Sequence, residues 1–125
     1  MHKIAIIEDV EDNRELLYYM LCDEFKVSRF STGEEALIHF AVDAPDLIVL
    51  DIGLPGMDGV EVLKRLRRHE HLWKIPVLAL TAHAMSGDRE KYLSAGFDEY
   101  ASKPIVDLDN FLEMVRRLLT RTAHF

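Results

Sequence analysis

The chain alternates short, uninterrupted apolar runs with longer stretches whose apolar residues recur at helical spacing. Ile4-Ala5-Ile6-Ile7, Leu47-Ile48-Val49-Leu50 and Val77-Leu78-Ala79-Leu80 are each too short for a helix, and none alternates with polar residues. Strands covered by helices on both faces of a parallel sheet read this way, because neither face offers water to a side chain. Weaker strands are predicted over 26–30 and 99–102.

Helices fill the intervals. Asp12 or Asn13 can cap a first helix that carries Leu16, Leu17, Met20 and Leu21. Thr32-Gly33-Glu34-Glu35 has capping-box spacing ahead of Leu37, Phe40 and Ala41. Asp58 can cap a third helix through Val62, Leu63 and Leu66. A fourth, starting at Ser86, would end at Gly96, a residue type suited to a helix C-terminus. Phe111, Leu112, Val115, Leu118 and Leu119 mark one face of a fifth. Five strand–helix units predict an α/β fold with a doubly wound open sheet and helices on both sides.

Composition narrows the class. The 125 residues make one domain, 1–125, and with 49% apolar residues they can build a core. A net charge of -7 argues against binding nucleic acid through a broad basic surface. One cysteine rules out an intramolecular disulfide and a cysteine-based zinc site. No apolar run approaches the roughly 20 residues that span a bilayer, and the N-terminus is too short and too soon acidic for a signal peptide. The expectation is a cytoplasmic protein with no membrane partner.

In an open α/β sheet, ligands bind beyond the carboxyl ends of the strands. Glu8 and Asp9 follow the first apolar run, Asp51 the third and Thr81 the fourth, while Lys103-Pro104 follows the fifth strand. Three carboxylates gathered there need a cation, and hard oxygen donors suit Mg²⁺ better than zinc or copper. A metal and an ammonium can neutralise the equatorial oxygens of a transferring phosphoryl group. Asp51, central in the sheet, could be the nucleophile that forms an aspartyl phosphate, with Thr81 and Lys103 on the phosphoryl oxygens.

With these residues in place the chain resembles, over essentially its whole length, a receiver domain of the two-component response-regulator family. The matching pieces are Ile6-Ile7-Glu8-Asp9, Pro45 through Asp51, Leu54-Pro55-Gly56-Met57-Asp58-Gly59, Leu80-Thr81-Ala82, Ala95-Gly96, Tyr100 and Lys103-Pro104. The resemblance is to single-domain, chemotaxis-regulator-like members, and the segment from Thr81 to Asp88 also resembles receivers of hybrid histidine kinases. It implies a flavodoxin-like (βα)5 three-layer sandwich whose five-stranded parallel sheet has the order 2-1-3-4-5.

The resemblance further implies that Asp51 accepts a phosphoryl group from a phosphohistidine on a sensor histidine kinase or a histidine phosphotransfer protein. Glu8, Asp9, Asp51 and the carbonyl of Gly53 would hold Mg²⁺, with Glu8 acting through water. Thr81 and Tyr100 match a switch pair that repacks the surface of the fourth helix, fifth strand and fifth helix. In such proteins the Lys103-Pro104 bond is usually cis, and Gly53 and His83 flank the phosphoryl group. Few residues follow the fifth helix, so the expected output is a downstream protein target or a relay partner, without direct nucleic-acid binding. The protein would be no enzyme beyond its own phosphorylation and dephosphorylation.

Two other classes compete. A Mg²⁺-dependent aspartyl phosphatase needs a second acid two residues after its nucleophile, where this chain has Gly53. A silent pseudo-receiver sits poorly with the intact set Asp9, Asp51, Thr81 and Lys103. The glycines at 53, 56 and 59 fit no phosphate-loop spacing and read as a turn into a helix. Cys22 reads as a small hydrophobe and Trp73 as packed in the turn before the fourth strand. Leu16 to Cys22 is apolar or aromatic throughout, so part of that helix must face outward, either as wet aromatic surface or as a docking face for a helical partner.

Overall fold

A computed structural model describes residues 1–82 and 87–122. Its strands are β1 (Lys3–Ile7), β2 (Lys26–Phe30), β3 (Leu47–Asp51), β4 (Val77–Thr81) and β5 (Glu99–Ser102). Between and after them run α1 (Glu11–Leu21), α2 (Gly33–Phe40), α3 (Gly59–Arg68), α4 (Asp88–Ala95) and α5 (Leu108–Thr122). All strand pairs are parallel and the sheet order is β2-β1-β3-β4-β5, the flavodoxin-like arrangement.

The sheet's two faces are sealed separately. Alternate residues of the central strands point to opposite sides. Ala5, Ile7, Ile48, Leu50, Val77 and Ala79 meet Ala36, Phe40, Val62, Leu63 and Leu66 of α2 and α3. Ile4, Ile6, Leu47, Val49, Leu78 and Leu80 meet Leu17 and Leu21 of α1 and Phe111, Val115, Leu118 and Leu119 of α5. Every residue of β3 and β4 is buried, which is why those strands carry no alternation.

Local signals hold at most helix ends. Thr32 Oγ1 accepts from the Glu35 N–H at 3.1 Å and Asp58 Oδ1 from the Glu61 N–H at 2.9 Å. Gly96 closes α4 with φ of 113°. The start of α1 departs from expectation: the helix begins at Glu11, with Val10 at the N-cap and no side-chain cap. Asp12 and Asn13 instead lie in the first turn, where acidic Glu11 and Asp12 favour the positive end of the helix dipole. Ser86, expected to open α4, lies outside the described residues.

Gly59 sets the last constraint. A Cβ there would stand 2.7 Å from the Asp51 carbonyl oxygen and 2.8 Å from Ile52 Cα, so only glycine lets α3 start against the end of β3. Backbone cannot yield as a flexible side chain can. Gly59→Ala is expected to destabilise the fold by about 1–3 kcal/mol, the usual cost of overpacking. Urea unfolding measures it, and a wild-type midpoint would show that this approach is not constraining.

Candidate functional site

The carboxyl ends of β1, β3 and β4 and the residue after β5 bring the predicted side chains to one edge of the sheet. Carboxylate oxygens of Glu8, Asp9 and Asp51 lie within 4.8 Å of one another. At that spacing each pair of charges repels by about 3–4 kcal/mol for an effective dielectric near 20. Lys103 answers part of this, with Nζ 2.9 Å from Glu8 Oε1 and 3.3 Å from Asp51 Oδ2.

Each member is held by backbone. The Glu8 N–H donates to the Phe30 carbonyl at 3.0 Å, continuing the β1–β2 ladder by one residue. Its side chain is wholly buried, and Oε2 accepts from the Val10 N–H at 3.3 Å. Asp51 is the last residue of β3; its Oδ1 accepts from the Gly53 N–H at 3.0 Å. The Lys103 N–H donates to the Thr81 carbonyl at 2.8 Å, so Lys103 and buried Thr81 stand side by side. The Lys103–Pro104 peptide is cis.

Burial raises the pKa of Glu8 to about 7, and the adjacent Asp51 carboxyl adds to the rise, while Lys103 opposes it. Burial pulls Lys103 down, but hydrogen bonding and charge from Glu8 and Asp51 outweigh it and leave the ammonium above its ordinary range. Among the described residues, three carboxyls against one ammonium leave an anionic pocket of hard oxygen donors. That donor set fits Mg²⁺.

Tyr100 stands apart from this cluster. It pairs with Ala79 in the sheet, and its ring stacks on Tyr92 of α4, centroids 5.5 Å apart at 28°. Burial, then the charges of Asp88 and Tyr92, raises its hydroxyl pKa. Gly53 is exposed beside Asp51, and His83 lies outside the described residues.

Sequence reasoning missed Arg14. Its Nη1 donates to the carbonyls of Glu8 at 2.9 Å and Asp9 at 3.4 Å, fastening the loop that carries both acids. A basic residue one turn into the helix after an acidic pair is the available signal, but nothing in the spacing separates it from a solvated arginine. The outward face of α1 is as expected: Leu16 and Tyr19 are exposed while Leu17 and Leu21 are buried. Leu16 and Met20 line an apolar groove with Lys103, Pro104 and Ile105, beside the acidic cluster.

The sequence matches the family model for the response regulator receiver domain over residues 4–116. It is 39% identical over 117 residues to the polar-differentiation response regulator DivK of Brucella ovis, covering 93% of this chain and 94% of that protein. It is 36% identical over 120 residues to the phosphate regulon transcriptional regulatory protein PhoB of Rhizobium meliloti, covering 95% of this chain but only 52% of that relative's length. The signal receiver domain of a histidine kinase from Syntrophus aciditrophicus superposes with a TM-score of 0.85 at 30% identity, covering 96% of this chain and 91% of that one. The receiver domain of the sensor histidine kinase PA1611 from Pseudomonas aeruginosa, with a magnesium ion coordinated in its active-site cleft, gives 0.85 at 29% identity, covering 95% and 98%. Fold, sequence match and relatives agree, and the chain belongs to the receiver-domain family of two-component response regulators, phosphoacceptor switches that bind Mg²⁺ and work with sensor histidine kinases.

Proposed function

We propose that Asp51 is the phosphoacceptor of a switch spanning residues 1–125, with Asp9, Asp51, the Gly53 carbonyl and, through water, Glu8 around Mg²⁺. The observation that carries the reading is Lys103 Nζ lying between Glu8 and Asp51, 3.3 Å from the Asp51 carboxylate. An ammonium there can pair with a phosphoryl oxygen once one is bonded to Asp51. Thr81, buried at the end of the adjacent strand, would hydrogen-bond another. The metal, when bound, neutralises charge on the transferring group.

In this reading the attacking Asp51 oxygen forms a bond to phosphorus as the bond to the donor's histidine nitrogen breaks, and the imidazole departs. The donor is a phosphohistidine on a kinase or phosphotransfer protein. Its helical surface would dock on the exposed apolar face of α1, where Leu16 adjoins the Lys103–Ile105 groove. Thr81 and Tyr100 would carry the change to α4, β5 and α5, whose surface contacts a downstream protein or relay partner. No helix among the described residues is long and apolar enough to cross a membrane, which accords with a cytoplasmic role. The protein would catalyse only its own phosphorylation and dephosphorylation.

Intact mass after incubation with a small-molecule phosphodonor and Mg²⁺ should show one added phosphoryl group in the wild type and none in Asp51→Ala. An adduct surviving in the mutant would place the acceptor elsewhere.

Glu8 supplies a pH test. Its folded pKa of about 7 exceeds the ordinary 4.5, so between these values the folded state holds a proton that the unfolded state has lost. Stability without metal therefore falls as pH rises from about 4.5 to about 7. Glu8→Gln should flatten that slope in thermal melts with chelator. Mg²⁺ must displace the same proton, so its affinity, read by calorimetry, should rise through that window; a pH-independent affinity would contradict the linkage.

A further inference from the structure

Of the eight residues of α4, only Tyr92 is buried. α2, of equal length, buries three, and α3, two residues longer, buries four. Apolar burial is what holds a surface helix to its sheet. The seating of α4 therefore falls on a single side chain, and the phosphoacceptor chemistry at Asp51 makes no use of it.

The Tyr92 ring has two aromatic neighbours of unequal freedom. It stands edge-on to Phe97, centroids 6.1 Å apart at 85°, and is stacked on Tyr100 at 5.5 Å and 28°. Phe97 is buried, and backbone fixes it from both sides. Gly96, at φ of 113°, turns the chain so that the Phe97 N–H donates to the Tyr92 carbonyl at 3.2 Å. The N–H of the next residue, Asp98, donates to the Val77 carbonyl at 2.9 Å. Tyr100 is only half-buried, packed against the margin of the same core.

Tyr100 shares a face of the sheet with Thr81. Its partner in β4 is Ala79, whose side chain lies in the core beneath α2 and α3, and Thr81, two residues on, points to the same side by strand alternation. A second link runs beside the stack. Arg89 Nη2 donates to both Glu99 oxygens at 3.0 and 3.2 Å, and Glu99 Oε1 accepts from the Tyr100 N–H at 3.1 Å. Arg89 is largely in water, where such a pair holds little, so the stack is the stronger tie between α4 and β5.

We propose, on the reading that Thr81 and Tyr100 are the moving pair of the switch, that Tyr92 is its positioning residue. The Tyr92 ring holds Tyr100 on α4, opposes its movement toward Thr81, and makes the seating of α4 depend on where Tyr100 lies. When Tyr100 leaves, the one buried residue of α4 loses one of its two aromatic contacts while Phe97 stays in place, so the helix is loosened at the stack and not at its C-terminus. Linkage makes the contact work both ways: whatever displaces α4 also frees Tyr100. Because the stack favours one arrangement and not the other, it sets how readily a phosphoryl group on Asp51 shifts the population.

The probe is beryllofluoride with Mg²⁺, a tetrahedral stand-in for the phosphoryl group that binds without covalent chemistry. Its affinity is measured by calorimetry for the wild type, Tyr92→Phe and Tyr92→Leu, with the tyrosine ring signals followed by NMR. Tyr92→Leu keeps an apolar anchor but no stacking face, and should bind the mimic about two- to tenfold more tightly, the range an aromatic pair supports. Tyr92→Phe, which keeps the face, should stay near wild type. Damage to the fold would weaken binding, so tightening cannot be mistaken for it. In the wild type itself, saturating beryllofluoride should shift the Tyr92 and Tyr100 ring signals together. Unchanged or weaker affinity in a folded Tyr92→Leu, or a wild-type Tyr92 signal that stays put at saturation, would overturn the proposal and leave Asp51 as acceptor. A wild type that takes up no beryllofluoride would remove the phosphoacceptor reading, and the role of Tyr92 with it.

Discussion

An electrostatic imbalance at one edge of the sheet governs the rest. Three carboxyls converge within 4.8 Å, and one lysine, arriving from the far end of the chain, faces two of them. The raised pKa of Glu8 and the ammonium retained on Lys103 both ease that repulsion. Both accommodations are ones that a divalent cation and a phosphoryl group can replace. The pocket is thus built around charges that the described residues do not balance, which is a reason for it to respond to added ones.

The fold supplies the convergence. Parallel strands all end on the same side, so residues forty or more positions apart arrive as neighbours. Packing on both faces then holds the strand ends in place. Gly59 keeps α3 tight against the Asp51 backbone, and Arg14 ties the carbonyls of Glu8 and Asp9. The opposite end is governed by a second arginine: Arg67 joins three carbonyls and Asp98, stiffening the corner that displays Trp73.

Much of this architecture was legible because buried parallel strands write themselves as unbroken apolar runs, and all five predicted strands occur where expected. The caps at Thr32 and Asp58 were legible for a similar reason, since a side chain bonding three residues ahead is a local event. The start of α1 was not. Asp12 and Asn13 are competent caps, yet the helix opens earlier at Val10, where Arg14 fastens the preceding loop and no side chain caps the end.

The order of residues alone determined that Glu8, Asp9, Asp51, Thr81 and Lys103 stand at or just past the carboxyl ends of strands, because the apolar runs mark where strands stop. Only the tertiary structure decided how they pair: Lys103 with buried Glu8 as well as Asp51, and Tyr100 stacked on Tyr92 away from the acids. It also decided that Leu72, rather than Trp73, enters the core. Periodicity is a property of neighbours along the chain, whereas partners across the fold depend on distances that exist only once the layers have packed.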